Sequence, residues 1–328
     1  NLYLFCLVAL VSAFALFPLR QLMHNALDVP NNRSMHTIPI IRGGGIVIVT
    51  LTIMTAVDLG LWMYALTASV IAFMGWMDDR NSLSVRFRLF IQIICAILII
   101  MTLQISGWVS LKQIDLAFTL MLWIPLVVVY VVYMTNIYNF MDGIDGMASG
   151  AAVIAGFGWI ILNHEHTVQH LSLVLAASSL GFLAHNWSPA RVFMGDVGST
   201  FLGFSFATIS LMSGDLMLGI LMFWVFIFDA GFTIVRRLLY GENIFKSHRT
   251  HLYQRLVSSG LSHRAITTLY LIFMVIGVYS AWLWSMRSRR MSIVLVLGLA
   301  IAHLIGTYTW EYIARKRTKP TLEATIEP

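Results

Sequence analysis

Long apolar runs recur from one end of this chain to the other and restrict the folds it can adopt. Hydrophobic residues make up 59% of its 328 residues and charged residues 11%, with a mean hydropathy of +0.81. Water-soluble domains are roughly half apolar and about a quarter charged. A run of roughly 17–25 apolar residues can cross a bilayer as a helix. We therefore expect an all-α polytopic membrane protein.

The apolar runs predict about 10–11 transmembrane helices in a single integral membrane domain over 1–328. They leave no room for a soluble domain, only a cytoplasmic tail at about 312–328. The first run lacks a basic leader and a small-residue cleavage site, so we expect a retained span. The predicted spans are 1–19, 43–58, 59–77, 88–105, 116–135, 148–163, 168–185, 199–214, 216–235, 265–285 and 291–311.

The basic residues predict the orientation. With the N-terminus outside, internal connections hold all but four of the 21 lysines and arginines, as the positive-inside rule requires. The net charge of +6 then mainly reflects the orientation of the chain in the membrane. Attraction to anionic lipid headgroups is favoured over nucleic-acid binding. Cys6 and Cys95 lie inside apolar runs, so no disulfide or zinc framework is expected. The basic residues outside are Lys112, Arg287, Arg289 and Arg290.

One strongly polar segment ends an apolar run: Asn136-Ile-Tyr-Asn139-Phe-Met-Asp142-Gly-Ile-Asp145-Gly. Its four oxygen-bearing side chains are spaced by three, so on a helix or 3₁₀ turn they line roughly one face. Glycines after both aspartates permit tight turns or close approach of a ligand. A helix end capped by Asn and Asp is the structural alternative. A cap needs one such residue, so the pattern favours a binding site.

Two further acidic clusters lie at the ends of apolar runs. In Phe193-Met-Gly-Asp196-Val-Gly-Ser199 a carboxylate stands between glycines, where it can meet a cation, although a helix N-cap is the alternative. Adjacent carboxylates in Asp78-Asp79 point in different directions on a helix. One can therefore face a site while the other pairs with Arg80, Arg86 or Arg88; a solvated charge cluster is the alternative.

The internal connection 236–264 carries six basic residues and the sequence His248-Arg249-Thr-His251. These side chains can bind phosphate oxygens, whereas incidental histidines in a basic loop are the alternative. Asp229 lies within an apolar run, and an intramembrane acid is a functional candidate by default; a structural hydrogen bond is equally open. Gly43-Gly44-Gly45 is not followed by Gly-Lys-Ser/Thr, so we expect a close-packed span start there.

All three acidic clusters fall on the internal side of the predicted topology. Hard oxygen ligands beside basic residues suit a magnesium-bound diphosphate. An enzyme with its active site at the cytoplasmic face accounts for this arrangement better than a transporter. A transporter would place ionisable groups near mid-membrane, on broken helices in matching halves, and the sequence has no internal repeat of that kind.

NxxNxxDGxDG at 136–146 and FMGDxGS at 193–199 together resemble the polyprenyl-phosphate N-acetylhexosamine-1-phosphate transferases. That family includes the phospho-MurNAc-pentapeptide translocase and the enzyme that starts enterobacterial common antigen. The similarity runs from about Arg33 to Arg264. It implies that an N-acetylhexosamine-1-phosphate passes from a UDP-sugar to undecaprenyl phosphate, with release of UMP. It also implies Mg²⁺, with Mn²⁺ as a substitute.

The resemblance further implies a bacterial inner (cytoplasmic) membrane enzyme with a periplasmic N-terminus and a cytoplasmic C-terminus. Its expected partners are UDP-N-acetylhexosamine, undecaprenyl phosphate and membrane lipids, without nucleic acid, and a homodimer is left open.

Roles follow from the resemblance position by position. Asn139 and Asp196 match the magnesium ligands, and Asp142 lies close to the diphosphate. Asp78 and Asp79 match an aspartate pair that positions or activates the polyprenyl phosphate. The remaining matches are Asp145, Asn186 and Phe193 along the uridine, and His248 and His251 near the phosphates and sugar. Asn136 and Arg249 complete the expected substrate-binding residues.

The histidine motif departs from two branches of that family. The translocase has three consecutive histidines and the common-antigen enzyme has His-x-His-His, whereas this chain has His248-Arg-Thr-His251 followed by Leu-Tyr-Gln. With Arg42-Gly-Gly-Gly, this pattern is most similar to the branch that initiates O-antigen. We therefore expect a role in O-antigen or cell-surface polysaccharide synthesis, with common antigen and peptidoglycan precursor synthesis as alternatives.

Overall fold

The structure is a computed structural model that describes residues 2–23, 27, 28, 30, 35, 39–107, 122–244, 246 and 248–318. Arg33, Lys112, Lys319, the start of predicted span 116–135 and most of the predicted tail lie outside the described residues.

The described residues fold mostly into helices, and three short strands form one small sheet. The helices are α1 (Leu2–Leu22), α2 (Ile46–Asp58), α3 (Trp62–Asn81), α4 (Val85–Ile105), α5 (Ile124–Met141), α6 (Met147–Leu162), α7 (His166–Asn186), α8 (Asp196–Met212), α9 (Leu216–Met222), α10 (Trp224–Leu239), α11 (Leu252–Ser258), α12 (His263–Ser285) and α13 (Arg289–Thr318). The strands are β1 (Leu27–Asp28), β2 (Ile40–Arg42) and β3 (Val192–Phe193).

Every predicted span coincides with helix in the described residues, so the all-α polytopic prediction is confirmed. By length and composition, 6 helices in the described part of the chain can cross a membrane (α1, α4, α5, α7, α12 and α13), or 7 if a bent pair counts as one span. The predicted 10–11 spans include the shorter apolar helices α2 and α6. The predicted span 216–235 is not one continuous helix, because α9 and α10 meet at a 77° bend beside Phe223.

Local side chains explain where several helices begin. Ser84 Oγ accepts a hydrogen bond from Phe87 N and Ser262 Oγ accepts one from Ala265 N, which caps α4 and α12. Asp215 Oδ1 accepts from Met217 N at the start of α9. These caps satisfy backbone donors that have no partner inside the first helical turn.

A small sheet of order β1-β2-β3 ties the polar connections together. Strands β1 and β2 are antiparallel, with Leu27 opposite Ile41, and β2 and β3 are parallel, with Ile41 opposite Val192. The sheet brings Arg42 beside Phe193, although 151 residues of chain separate them. It was not visible in the sequence, because strands of two or three residues carry no periodic pattern.

Helix α8 forms the centre of the fold, and every residue from Val197 to Met212 is buried. Its buried hydroxyl groups are satisfied within the helix: Ser205 Oγ donates to Phe201 O, and Thr208 Oγ1 donates to Phe204 O. Glycines bring the neighbours close, since a β-carbon at Gly45 would lie 2.5 Å from Gly198 Cα. The expected close-packed start of α2 is thus confirmed.

We predict that Gly45→Ala lowers the free energy of unfolding by about 1–3 kcal/mol, because the added methyl group must push α2 away from α8. The measurement is the thermal unfolding midpoint of the detergent-solubilised protein. Gly306→Ala is the matched control: no described atom lies within 4 Å of its β-carbon position in α13. Alanine favours that helix by about 0.5–1 kcal/mol over glycine. Equal midpoints for Gly45→Ala and wild type would contradict the close contact.

Candidate active site

A cavity of about 500 Å³ opens where the polar connections meet. Its walls come from the end of α3, the start of α4, the turn after α5, strand β3, the start of α8 and the segment between α10 and α12. These are the connections that the sequence assigned to one side of the membrane. Most of the expected site residues line it: Asp78, Asn139, Asp142, Asp145, Asn186, Phe193, Asp196 and His248.

Asn139, Asp142 and Asp196 form the oxygen-rich part of the wall. Asn139 Nδ2 donates to Ser199 Oγ at 2.9 Å, which turns its carbonyl oxygen away from that hydroxyl. Burial raises the pKa of Asp142 well above its usual range, and the charge of Asp196 raises it further. Carboxylates that disfavour each other's ionisation gain from a bound cation.

Asn136 does not line this cavity. Its Nδ2 donates to Gln92 Oε1 of α4 at 2.6 Å and to Val132 O at 2.7 Å. Each step of three residues on an α-helix turns the side chain by about 60°. The spacing therefore separates Asn136 from Asp142 by about a third of a turn. Asn136 joins α5 to α4 instead.

Arg42 is a central site residue that the sequence analysis did not single out. Its Nε lies 2.7 Å from Asp79 Oδ1 and its Nη2 lies 2.6 Å from Asp196 Oδ1. Gly43 N and Gly44 N both donate to Phe193 O, which holds the start of α2 against β3. An arginine before three glycines in a polar connection was the available signal, since such a backbone lets the guanidinium reach two neighbouring elements.

The adjacent aspartates at the end of α3 have different partners, as their sequence predicted. Asp78 lines the cavity, pairs with Arg88 at 2.6 Å and accepts from Leu83 N at 2.6 Å. Asp79 accepts from Asp196 N at 2.9 Å and from Val197 N at 3.1 Å, so it caps α8. We expected the aspartate that does not face the site to pair with Arg80, Arg86 or Arg88. Instead, Asp78 both faces the cavity and pairs with Arg88, whereas Asp79 pairs with Arg42.

Asp145 and Asn186 line the cavity and also accept hydrogen bonds from backbone N–H groups of the neighbouring connections. Asp145 Oδ2 accepts from Ala190 N at 3.1 Å, and Oδ1 lies 3.3 Å from His263 Nδ1. Burial alone would raise the pKa of Asp145, but the hydrogen bonds from His263 and Ala190 lower it below its usual range. Asn186 Oδ1 accepts from Gly146 N at 3.1 Å and so holds the turn after α5.

Comparison with known proteins decides the family. Residues 61–214 match the family described as glycosyl transferase family 4. The chain is 35% identical over 273 residues to the probable undecaprenyl-phosphate N-acetylglucosaminyl 1-phosphate transferase of Bacillus subtilis, covering 77% of this chain and 76% of that protein. The chain belongs to glycosyl transferase family 4.

Two other relatives match different shares of the chain. The chain is 29% identical over 353 aligned positions to the decaprenyl-phosphate N-acetylglucosaminephosphotransferase of Mycobacterium tuberculosis, covering 91% of this chain and 86% of that protein. It is 35% identical over 188 residues to the phospho-N-acetylmuramoyl-pentapeptide-transferase of Synechococcus elongatus, covering 52% and 51%. The family resemblance drawn from the motifs is confirmed; the O-antigen branch stays a prediction.

Asp229 anchors the basic loop of this family member from within α10. It is fully buried, and Oδ1 accepts from Leu252 N at 2.8 Å and lies 3.2 Å from His251 Nδ1. Oδ2 accepts from Tyr253 N at 3.1 Å and from Tyr270 Oη at 2.6 Å. The carboxylate therefore caps α11 and orients His251, the structural alternative that the sequence had left open.

The anchored loop contacts the Asn139–Asp142 turn directly. Tyr253 Oη donates to Phe140 O at 2.8 Å, and a β-carbon at Gly143 would collide with that hydroxyl. A larger residue after Asp142 would therefore have to displace the Tyr253 hydroxyl from this hydrogen bond. His251 acts through this anchor and does not line the cavity.

His248 does line the cavity, and its pKa is lowered to about 4 by burial and then by neighbouring His251 and Arg237. Its Nδ1 faces Thr250 N at 3.4 Å and Thr250 Oγ1 at 3.0 Å. A neutral imidazole that accepts from a backbone N–H at Nδ1 carries its proton on Nε2. His248 is therefore a neutral hydrogen-bond donor at pH 7, not a fixed cation.

We predict that Asp229→Asn loosens the loop and lowers the free energy of unfolding by about 3 kcal/mol, because an amide cannot accept from all the donors around it. Tyr270→Phe removes one of those donors and should cost less, about 1.5 kcal/mol. Thermal unfolding and the rate of proteolysis within 240–250 measure both changes. A wild-type proteolysis rate in Asp229→Asn would contradict the anchoring role.

We also predict that His248 makes the fold less stable in mild acid. Histidine in an unfolded chain titrates near pH 6.5, so between about pH 6.5 and pH 4 the unfolded state binds a proton that the folded state does not. Folding stability must then fall as pH is lowered through that range. His248→Gln should lose less stability between pH 7 and pH 5 than wild type, measured by unfolding midpoints. His164→Gln, in an exposed turn, should follow wild type; if it matches His248→Gln instead, the assignment fails.

Proposed function

We propose that this chain transfers an N-acetylhexosamine-1-phosphate from a UDP-sugar to undecaprenyl phosphate and releases UMP. The observation that carries the proposal is a single cavity in which Asn139, Asp142 and Asp196 face the cationic side chains of Arg42 and Arg88. Relatives named for polyprenyl-phosphate aminosugar-phosphate transfer support the same reaction. Carboxylates and guanidinium groups in one cavity suit a diphosphate that is held through a metal ion.

The side chains at the donor end fit Mg²⁺. This ion prefers hard oxygen ligands and is usually held by one or two carboxylates together with substrate phosphates. Asn139 and Asp196 would hold it, with Asp142 on the diphosphate side. Among the described residues no group of three or more His, Cys, Asp or Glu side chains is placed to hold a metal ion, so this site would need substrate oxygens to complete the coordination. Mg²⁺ supplies charge neutralisation of the diphosphate and of the departing UMP.

The acceptor phosphate reaches the cavity beside the connection of α3 to α4. Val85 and Arg88 line the cavity there, while Phe87 and Phe90 are exposed on the same helix. An exposed apolar surface next to a cationic side chain suits a lipid tail and its phosphate. Arg88, held by Asp78, would bind and orient the phosphate of undecaprenyl phosphate.

The transfer we propose is a direct displacement. An oxygen of the acceptor phosphate forms a bond to the β-phosphorus of the UDP-sugar, and the bond from that phosphorus to the oxygen of UMP breaks. A phosphate monoester has a second pKa near 6, so the acceptor is largely ionised at pH 7 and needs no obligatory base. Asp78 then positions Arg88, and Asp79 holds Arg42 and α8. The rival is a covalent aspartyl-phosphate.

Among pathways, we propose initiation of O-antigen or another surface polysaccharide, on the pattern His248-Arg-Thr-His251. Common antigen and peptidoglycan precursor synthesis use the same chemistry and are the alternatives. A panel of UDP-N-acetylhexosamines, assayed for UMP release, identifies the donor sugar.

We predict that the purified protein exchanges labelled UMP into a UDP-N-acetylhexosamine only when Mg²⁺ and undecaprenyl phosphate are both present. Asp196→Asn should lower turnover by about a hundredfold or more, the usual effect of removing one electrostatic contact at a reacting centre. Asp58→Asn, an equal change at an exposed position at the end of α2, should keep wild-type turnover.

Three results would refute parts of this proposal. Full turnover in Asp196→Asn would refute the metal-binding role. A phosphorylated enzyme trapped with UDP-sugar and no lipid acceptor would refute direct displacement. Substrate flux across vesicles without UMP release would indicate a transporter, the function of a different class.

A further inference from the structure

A second cavity, of about 650 Å³, lies behind the basic loop and outside the candidate active site. It is enclosed by the end of α10, the loop that precedes α11, α11 itself and the last turns of α13. None of the residues that line the first cavity lines this one among the described residues. It is therefore a separate site.

The charge of this second cavity is strongly positive. Arg236, Arg249, Arg255 and Arg315 line it, with Glu311 as the one acidic side chain among its described lining residues. Arg255 holds both oxygens of Glu311, with Nε and Nη2 each at 2.7 Å. The Nε of Arg236 is buried and has no hydrogen-bond partner among the described residues. Four guanidinium groups beside one carboxylate leave the cavity with a net positive charge, which favours a bound anion.

An apolar stripe on α13 leads into this cavity. Ile301, Ile305, Tyr308 and Tyr312 are exposed at alternating spacings of four and three, and Arg315 follows at the next position of the series. Residues at these spacings share one helix face. The guanidinium of Arg255 lies 4.7 Å from the centre of the Tyr308 ring and joins the stripe to the cavity.

Helix α13 is one of the helices long and apolar enough to cross a membrane. Its exposed stripe therefore contacts lipid chains, and its basic C-terminal end lies at the level of the lipid headgroups. Basic pockets between membrane helices bind anionic headgroups. The second cavity lies on the same side of the membrane as the active site, because His248 lines the first cavity and the next residue, Arg249, lines the second.

We propose that the second cavity binds the phosphodiester headgroup of an anionic phospholipid whose acyl chains lie along the α13 stripe. The phosphate oxygens accept from Arg236 and Arg315, while Glu311 keeps Arg255 in place above Tyr308. Free phosphate offers the same oxygens without the acyl chains. The stripe therefore favours the lipid as the source.

Binding at this cavity also bears on the active site, a consequence that rests on the proposed function. Arg249 and Thr250 line the second cavity and stand between His248 and His251 in the chain. Lipid bound behind the loop would hold His248 against the active-site cavity. Arg249, which the sequence placed among the substrate-binding residues, acts at the lipid side of the loop in this arrangement.

The test uses the full-length protein and dioleoyl-phosphatidylglycerol in micelles with dioleoyl-phosphatidylcholine. Native mass spectrometry counts the phosphatidylglycerol retained per chain. The double variant Arg236→Gln/Arg315→Gln should retain at least about fivefold less, since one cation at the membrane surface accounts for about that factor. Arg20→Gln/Arg80→Gln removes the same charge on the same predicted side of the membrane at positions that do not line the cavity, and it should retain the lipid as wild type does.

Arg315→Gln alone, at an exposed position, repeats the measurement if the double variant fails to fold. Equal retention by both double variants would overturn the proposal, because diffuse surface charge would then account for the lipid. Displacement of phosphatidylglycerol by inorganic phosphate at equal concentration would overturn the lipid assignment in favour of a phosphate site.

A second readout separates this proposal from the function proposed above. UMP release in vesicles should rise with phosphatidylglycerol for wild type and Arg20→Gln/Arg80→Gln, and stay flat for Arg236→Gln/Arg315→Gln. If no variant releases UMP while lipid retention still differs between the two double variants, the transferase function fails and the lipid site stands. Equal stimulation of all three by phosphatidylglycerol would overturn the link between the cavity and the loop.

Discussion

The ion pairs of Arg42 with Asp79 and Asp196 are the interaction on which the rest of the site depends. They join β2, the end of α3 and the start of α8 at one point. Asp79 also accepts the first backbone N–H groups of α8, so one carboxylate holds both the guanidinium and the central helix. Because α8 is buried from Val197 to Met212, its position sets where Asp196 lies relative to Asn139 and Asp142.

Much of the fold was predictable because hydrophobic runs report membrane helices directly. The polar residues of the site were also found, since oxygen-bearing side chains are rare in such a chain and their concentration is informative. Neither pattern shows, however, towards which neighbour a given side chain points. Asn136 and Asp142 share a spacing that suggests one helix face, yet the rotation of an α-helix and its end at Met141 turn them towards different neighbours.

Side-chain partners across long sequence separations were the part that the sequence could not supply. Asp229 was visible as an intramembrane acid, but nothing near it in sequence indicated Leu252, Tyr253 and Tyr270 as its partners. Arg42 was likewise visible as a charge and as the start of Arg-Gly-Gly-Gly. Its role follows from the pairing of strands β2 and β3. Strands of two or three residues are too short for a sequence pattern to predict their pairing.

The loop between α10 and α12 contributes adjacent residues to two different cavities. His248 faces the oxygen-rich cavity as a neutral donor, while Arg249 faces the arginine-rich cavity next to α13. The backbone bends at Arg249 and at His251, so neighbouring side chains of this short loop reach different cavities. Asp229 must then hold this loop from the membrane side, because a loop free to rotate would place the fixed cation of Arg249 at the active site instead of the neutral imidazole of His248.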